Sequence, residues 1–324
     1  MTFLINKKPF FCNYWVTYRC NSKCEFCNFW RNNSYKNIFD AKFTDVKKNL
    51  VDLKKIGVKF IDFTGGEPLL NKDLPQILAS AKQLGFFVKL STNGYFYKDR
   101  FKEIKNLPSR TYFSFDTTSK EEYKKIRGID GYDKLIEGIN IAINNKQEIC
   151  LLYTVTDKNI KNLQEIVNFA DSNKITTYIH PCFSYFGNKS LNKDNIKKIK
   201  KNFWNPYIRM SLPQLDFHKR GGNNPSKSKC QAGLSTIDIG PDDTLIIPCT
   251  HNYNKKIKID GKLHTLYNSK EWYQLFEKAG KYNFCNHCTI DCYFGMSYFN
   301  RLPNYFFKQN LTYLKNLIES KRRK

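Results

Sequence analysis

Asn13-Tyr-Trp-Val-Thr-Tyr-Arg-Cys20-Asn-Ser-Lys-Cys24-Glu-Phe-Cys27 joins a strand-like apolar run, Tyr14 to Tyr18, to three cysteines spaced CxxxCxxC. Thiolates this close in sequence converge on one metal centre. Three of them on a cubane iron–sulfur cluster leave one iron without a protein ligand. Such an open iron binds a substrate or cofactor, so the triplet points to chemistry as well as structure.

Outward from this stretch, strand and helix signals alternate to about residue 180. Apolar runs at 13–18, 58–63, 86–90, 112–115, 149–155 and 175–180 read as strands. Between them, apolar residues recur at helical spacing: Val46, Leu50, Leu53 and Ile56, then Leu74, Ile77, Leu78, Ala81 and Leu84, with weaker or similar patterns at 99–105, 132–144 and 160–170. Thr44 and Asp73 are expected helix caps, Gly57 and Gly85 helix ends, and Ser119 with Glu122 a capping box. Six βα repeats predict an α/β fold, a partial (β/α)6 TIM-like barrel of parallel strands with a small cysteine-rich C-terminal domain. Parallel strands carry chemistry in the loops at their C-terminal ends, which is where the triplet falls. The expected division is an N-terminal tail over 1–12, the barrel core over 13–190, a helix and linker over 191–228, an auxiliary cysteine-rich domain over 229–295, and a helix with a basic tail over 296–324.

Composition narrows the function classes. A chain of 324 residues with 41% hydrophobic and 15% aromatic content should fold as a globular protein. No apolar run reaches the roughly 20 residues of a membrane span, and the first residues lack a signal-peptide layout. The expectation is a cytoplasmic protein without a membrane partner. Eleven cysteines, an odd number, argue against a disulfide framework. Cys12, Cys150 and Cys182 read as structural residues. The formal charge of +25 is compatible with an anionic partner. Lysine is nonetheless spread through every expected helix, which argues against nucleic acid.

Directly after the second expected strand comes Gly65-Gly-Glu-Pro68. Glycines let the backbone approach a ligand closely, and a glutamate there accepts hydrogen bonds from an ammonium group. Alone, the tetrapeptide is also an ordinary turn before a helix. Paired with the triplet, it makes residues 13 to about 190 resemble a radical SAM enzyme. The resemblance implies that Cys20, Cys24 and Cys27 hold a 4Fe–4S cluster whose open iron chelates S-adenosylmethionine. One electron then cleaves that molecule to a 5′-deoxyadenosyl radical, which abstracts a substrate hydrogen. It further implies Phe26 near the adenine, Gly65, Gly66 and Glu67 at the methionyl amino group, and a flavodoxin- or ferredoxin-type electron donor. Ser91 and Asn93, in Ser91-Thr-Asn-Gly94, suit the ribose and methionine, as do Ser114 and Asp116 the ribose hydroxyls. Arg127 suits the methionyl carboxylate. Each keeps a plainer reading: Asn93-Gly94 as a turn, Asp116 as a helix cap.

The remaining cysteines are Cys230, Cys249, Cys285, Cys288 and Cys292. Thr236 to Ile239 and Thr244 to Ile247 read as a β-hairpin, expected to bring Cys230 and Cys249 together, while Cys285-Asn-His-Cys288 is a close pair. The generic reading is a structural zinc ribbon. Beside the radical SAM core, the group resembles the SPASM or shorter twitch extension and implies one auxiliary 4Fe–4S cluster on Cys230, Cys249, Cys285 and Cys288. Cys292 is a spare, a replacement ligand or part of a reduced second site, and His287, between ligands, reads as exposed or as a neighbour of the ligands. The substrate classes implied are a peptide or a small molecule, with no peptide-recognition segment before residue 13. The rival is a non-catalytic zinc or iron–sulfur protein that binds nucleic acid.

Overall fold

The computed structural model describes residues 8–27, 29–31, 40–184 and 187–294. The expected terminal helix and basic tail over 296–324, and residues 1–7 of the expected N-terminal tail, lie outside them. The chain divides into two units. The first holds Met1–Ser114, Ser119–Ile149 and Ala232–Ala279, and the second Phe115–Thr118, Cys150–Gln231 and Gly280–Lys324.

In the first unit, β1 (Phe11–Thr17), β2 (Phe60–Gly65), β3 (Phe87–Thr92) and β4 (Arg110–Ser114) are strands joined by helices. β1 pairs parallel with β2, β2 with β3, and β3 with β4. The intervening helices are α1 (Phe43–Ile56), α2 (Leu74–Gln83) and α3 (Tyr97–Ile104), with α4 (Lys120–Arg127) and α5 (Tyr132–Asn144) following β4. Side chains alternate across the strands. Tyr14, Val16, Ile61, Phe63, Val88, Leu90 and Phe113 form a sealed apolar face. Truncating such a core aromatic as Phe63 costs about 3–5 kcal/mol.

The opposite face carries a polar row. Asn13, Asp62, Lys89 and Arg110 are aligned across four strands by register. Lys89 Nζ pairs with Asp62 Oδ2 at 2.7 Å, and Ser91 Oγ donates to Asp62 Oδ1 at 2.9 Å.

Two helix starts differ from expectation. Thr44 does not cap α1, and Asp73 makes no side-chain cap on α2. Instead, Asp73 Oδ2 accepts from Phe43 N at 2.9 Å, so the acid preceding α2 caps α1. Ser119 does cap α4, accepting from Glu122 N.

The hairpin expected near residue 240 is present as β8 (Thr236–Gly240) and β9 (Thr244–Cys249), and β10 (Asn252–Lys258) extends it. β8 also pairs parallel with β1. Asn13 Nδ2 donates to Asp238 Oδ1 at 2.8 Å across that seam. This pairing is why residues 232–279, with α9 (Leu263–Tyr267) and α10 (Lys270–Phe276), group with the first unit. The division therefore differs from a separate 229–295 domain. Trp272 of α10 is fully buried and donates to Gly233 O at 3.1 Å.

The second unit carries β5 (Ile149–Val155), β6 (Thr177–Pro181) and the short β7 (Ile208–Arg209), again parallel. Its helices are α6 (Leu163–Asn173), α7 (Lys193–Lys201) and α8 (Leu212–Lys219). The 191–228 segment thus holds two helices and a strand where one helix was expected. All six strands of the expected (β/α)6 pattern are present as β1–β6. Among the described residues, no helix is long and apolar enough to cross a membrane.

His218 on α8 is 2% exposed, and neither ring nitrogen has a hydrogen-bond partner among the described residues. Burial pushes its pKa down to about 3. Folded and unfolded chains both hold it neutral above pH 6.5. Below that, the unfolded chain takes the proton first, and stability falls by about 1.4 kcal/mol per pH unit down toward pH 3. The urea midpoint should therefore drop between pH 7 and 5 by the equivalent of about 2 kcal/mol more in wild type than in His218→Phe. Equal drops would show that His218 finds a proton acceptor in solution.

Candidate active site at the C-terminal ends of the parallel strands

The loop after β1 carries Cys20, Cys24 and Cys27, and three neighbouring segments of the first unit hold it. Lys23 N donates to Arg127 O at 2.8 Å and Glu25 N to Ile126 O at 2.9 Å, docking the loop on the end of α4. Gly128 closes α4 at φ 64°, and a Cβ there would lie 2.7 Å from Lys23 O. Asn93, after β3, donates through Nδ2 to Asn21 Oδ1 at 2.8 Å and Ser22 Oγ at 3.1 Å. Arg19 Nη2 donates to Leu70 O at 2.7 Å while the guanidinium pairs with Asp40.

Gly65 and Gly66 serve a closer approach than expected. A Cβ on Gly65 would stand 2.1 Å from Thr17 O, and one on Gly66 2.1 Å from Arg19 O. Gly66 N and Glu67 N donate to those same carbonyls, at 2.9 and 2.7 Å. The glycines let the second loop lie directly on the backbone that leads into Cys20.

Glu67 has a different task from the ammonium contact expected of it. Its side chain is fully buried. Oε1 accepts from Thr92 Oγ1 at 2.7 Å and Leu69 N at 3.1 Å, and Oε2 from Asn93 N at 2.7 Å. Burial raises its pKa to about 7, against those three donors and Arg127, which pull it down. The carboxylate clamps the β2 and β3 loops together.

Around the thiols, Arg127 Nη1 approaches Cys24 Sγ at 3.6 Å, and Arg127 Cζ lies 5.4 Å from the centre of the Phe26 ring. Ser22 N donates to Cys20 Sγ at 3.4 Å. Burial, with Glu67 and the neighbouring thiols adding, pushes Cys20 up to about 12. Burial and Cys24 push Cys27 to about 11, with Arg127 and Arg31 opposing. Crowding thiolates therefore need a cation to neutralise them, which suits the donor set to a metal cluster. Among the described residues, no three His, Cys, Asp or Glu side chains close on one point as a single ion requires. A cubane spreads its thiolates over separate irons.

The other expected contacts divide. Ser91 Oγ turns to Asp62 on the polar sheet face. Ser114 ends β4, half-buried. Asp116 belongs to the second unit, where its Oδ1 accepts from Thr154 N at 2.9 Å, a role within that unit's own backbone. Arg19, Asn21 and Asp40 were not singled out from sequence. Their signal was present only as polar residues flanking the motifs.

The second unit gathers three of the remaining cysteines. Asn223 Nδ2 donates to Gly280 O at 2.7 Å and Cys285 O at 2.9 Å, and Asn223 N to Cys288 O at 2.9 Å. A Cβ on Gly280 would sit 2.5 Å from Cys230 Cβ. Burial raises Cys288 to about 12, with Cys285 adding. Cys292 is exposed. The hairpin carries Cys249 at its end, but Cys230 precedes it and falls in the other unit.

A cysteine loop after the first of a run of parallel strands, locked to a Gly-Gly-Glu-Pro turn, defines a class. Residues 14–170, just under half of the chain, match the family model described as "Radical SAM superfamily". Among curated relatives, a probable GTP 3′,8-cyclase of Sulfolobus acidocaldarius is 34% identical over 124 residues, 37% of this chain and 40% of that protein. One of Saccharolobus solfataricus is 40% identical over 93 residues, 28% of this chain and 30% of that protein. The chain thus spans less than half the length of these relatives. Among solved structures, Streptococcus suis SuiB bound to S-adenosylmethionine superposes with a TM-score of 0.65 at 17% identity, covering 83% of this chain and 65% of SuiB. The anSMEcpe structure with bound AdoMet gives 0.61 at 15% identity, covering 83% of each chain. These likenesses show a shared fold that runs beyond residues 14–170.

Proposed function

We propose that this chain is a radical SAM enzyme in which Cys20, Cys24 and Cys27 hold a 4Fe–4S cluster. The observation that carries the reading is the knitting of the triplet, the Gly65–Glu67 loop, Asn93 and Arg127 into one hydrogen-bonded site. When bound, the cluster and S-adenosylmethionine supply one-electron cleavage to a 5′-deoxyadenosyl radical. The protein's part is placement. Arg127, beside Cys24 and over Phe26, is positioned to pair with the methionyl carboxylate. With Glu67 spent on protein donors, backbone carbonyls of the Gly65–Glu67 loop are the acceptors left for the methionyl ammonium. Phe26 offers a face to the adenine. A flavodoxin- or ferredoxin-type donor supplies the electron.

For the substrate, the sequence relatives' names point to a small molecule, GTP. A structure of SuiB is described as bound to precursor peptide SuiA, with the same TM-score of 0.65 over 83% of this chain. The likeness to SuiB extends past the region shared with the cyclases, so a peptide is the first candidate and a small molecule the second. The deciding experiment is anaerobic incubation with dithionite and deuterated candidate substrates. Deuterium should appear in 5′-deoxyadenosine with the true substrate. Failure of wild-type protein to cleave S-adenosylmethionine at all would overturn the reading.

We further propose an auxiliary cluster on Cys230, Cys285 and Cys288, with Cys249 or Cys292 as the remaining ligand. Cys285→Ala/Cys288→Ala should keep the first cluster and slow S-adenosylmethionine cleavage, but lose product. Wild type should hold about eight irons, four per cubane, and this variant about half. If wild type holds only about four, all lost with the N-terminal triplet, a zinc or metal-free site replaces the auxiliary cluster.

A further inference from the structure

Lys193-Asp-Asn-Ile-Lys-Lys-Ile-Lys-Lys201 forms α7 on the second unit, with five lysines against one acid. Its inward side is short. Asn192 caps the helix by accepting from Asn195 N at 2.8 Å, Asn195 Nδ2 donates to Asp157 Oδ1 at 2.8 Å, and Ile196 and Ile199 are buried. The lysines are left to the outer side. Lys193, Lys197, Lys198 and Lys201 are exposed. The helical repeat sets Lys193, Lys197 and Lys201 one turn apart on one side, over about 12 Å. Lys197 shares its charge with exposed Asp194 at 3.0 Å, and Lys200 is held by Asp216 at 2.7 Å. The chain continues in tight turns, Asn202 N donating to Ile199 O and Phe203 N to Lys200 O. Phe203 is buried, and Asn205 Nδ2 donates to both carboxylate oxygens of Asp171 at 2.9 Å. Between these two anchors Trp204 stands 70% exposed, its ring edge-on to Phe203 at 4.9 Å. A tryptophan held out on a pinned turn has already lost its backbone freedom, so covering it costs a partner little ordering entropy.

We propose that this lysine stripe and Trp204 form a docking site for an acidic, extended segment of the peptide substrate, with an apolar residue of the peptide seated on Trp204. The proposal rests on the peptide reading above and adds the chemistry of the segment recognised. Spacing and charge carry it. Successive turns of α7 place a cation about every 6 Å, and an extended peptide places same-side side chains about every 6.7 Å. Acidic residues at alternate positions therefore meet Lys193, Lys197 and Lys201 in register. An apolar residue at the next such position falls at the turn that carries Trp204, a favoured type of interface anchor. Residues 187–208 contain no arginine, the side chain whose planar fork suits phosphate and nucleic acid. One exposed aromatic also gives a single stacking platform, where single-stranded nucleic acid uses several in succession. Docking of this kind is screened by salt.

The test uses the iron-loaded chain and a fluorescein-labelled heptapeptide, Glu-Ala-Glu-Ala-Glu-Ala-Phe, read by fluorescence anisotropy. Wild type should bind it saturably at low salt and weaken steeply as salt rises. Lys193→Glu/Lys197→Glu/Lys201→Glu should weaken binding at least about ten-fold. Trp204→Ala, which leaves the charge alone, should weaken it at least about three-fold. Urea midpoints and iron content should stay unchanged in both. The same peptide with glutamine in place of glutamate should not bind. Lys47→Glu/Lys102→Glu/Lys125→Glu, on the first unit, carries the same net charge as the stripe variant and should stay within about two-fold of wild type. No saturable binding by wild type, full affinity in either docking variant, or equal weakening in the two triple variants would overturn the proposal. So would tighter stripe-dependent binding of a short single-stranded RNA, or of phosphatidylserine vesicles, than of the peptide. Probe binding needs no turnover, so failure of the peptide reading shows separately: deuterium would then reach 5′-deoxyadenosine from GTP and from no peptide.

Discussion

With Cys20, Cys24 and Cys27 all replaced by alanine, 5′-deoxyadenosine formation from S-adenosylmethionine should fall to the background of protein-free dithionite. The variant should lose about four irons per chain. The loop itself should survive, because its hydrogen bonds to Arg127, Ile126, Asn93 and Leu70 run through backbone or other side chains. Unfolding midpoints of the metal-free proteins should therefore be close. Burial holds the thiols of metal-free wild type protonated, so their replacement takes no charge out of the interior at neutral pH. Wild-type cleavage rates in the triple variant would move the cluster elsewhere.

Glu67→Ala should act by another route. It leaves Leu69 N, Asn93 N and Thr92 Oγ1 without their buried acceptor. An orphaned buried donor costs about 1–3 kcal/mol, so a loss of at least about 2 kcal/mol in folding stability is expected. Iron occupancy should fall with it, because the β2 and β3 loops lose their clamp. Urea unfolding of the metal-free chains and iron analysis of the loaded ones read the two effects. Unchanged stability with weakened S-adenosylmethionine binding would restore a direct contact between the carboxylate and the ligand.

How far these features were legible follows from the kind of signal each one leaves. The strands β1–β6 announced themselves because apolar runs alternated with helical spacing, and the CxxxCxxC and GGEP motifs fell at strand ends. The roles inside the motifs were harder. Glu67 looks from sequence like a carboxylate aimed at a ligand, and only its three donors show it turned inward. Ser91 looked free for ribose, but its strand register puts it beside Asp62. Asp116 sits one residue past Phe115, where the chain joins the second unit, and no local pattern marks that crossing. The attachment of β8 to β1 was invisible for a similar reason. Parallel pairing between residues more than two hundred positions apart depends on long-range packing, and the hairpin signal alone does not disclose its partner.

The capping of α1 by Asp73 bears on how the chain reaches its native state. The first amide of α1 finds its acceptor only after residues 43–73 have come together. A helix of fourteen residues is marginal alone in water, so α1 gains this hydrogen bond when the second βα unit has arrived, not before. The two units of secondary structure thus mature as a pair. The same arrival lays Gly65 and Gly66 onto Thr17 and Arg19. The cysteine loop therefore takes its final shape only once the second βα unit is in place.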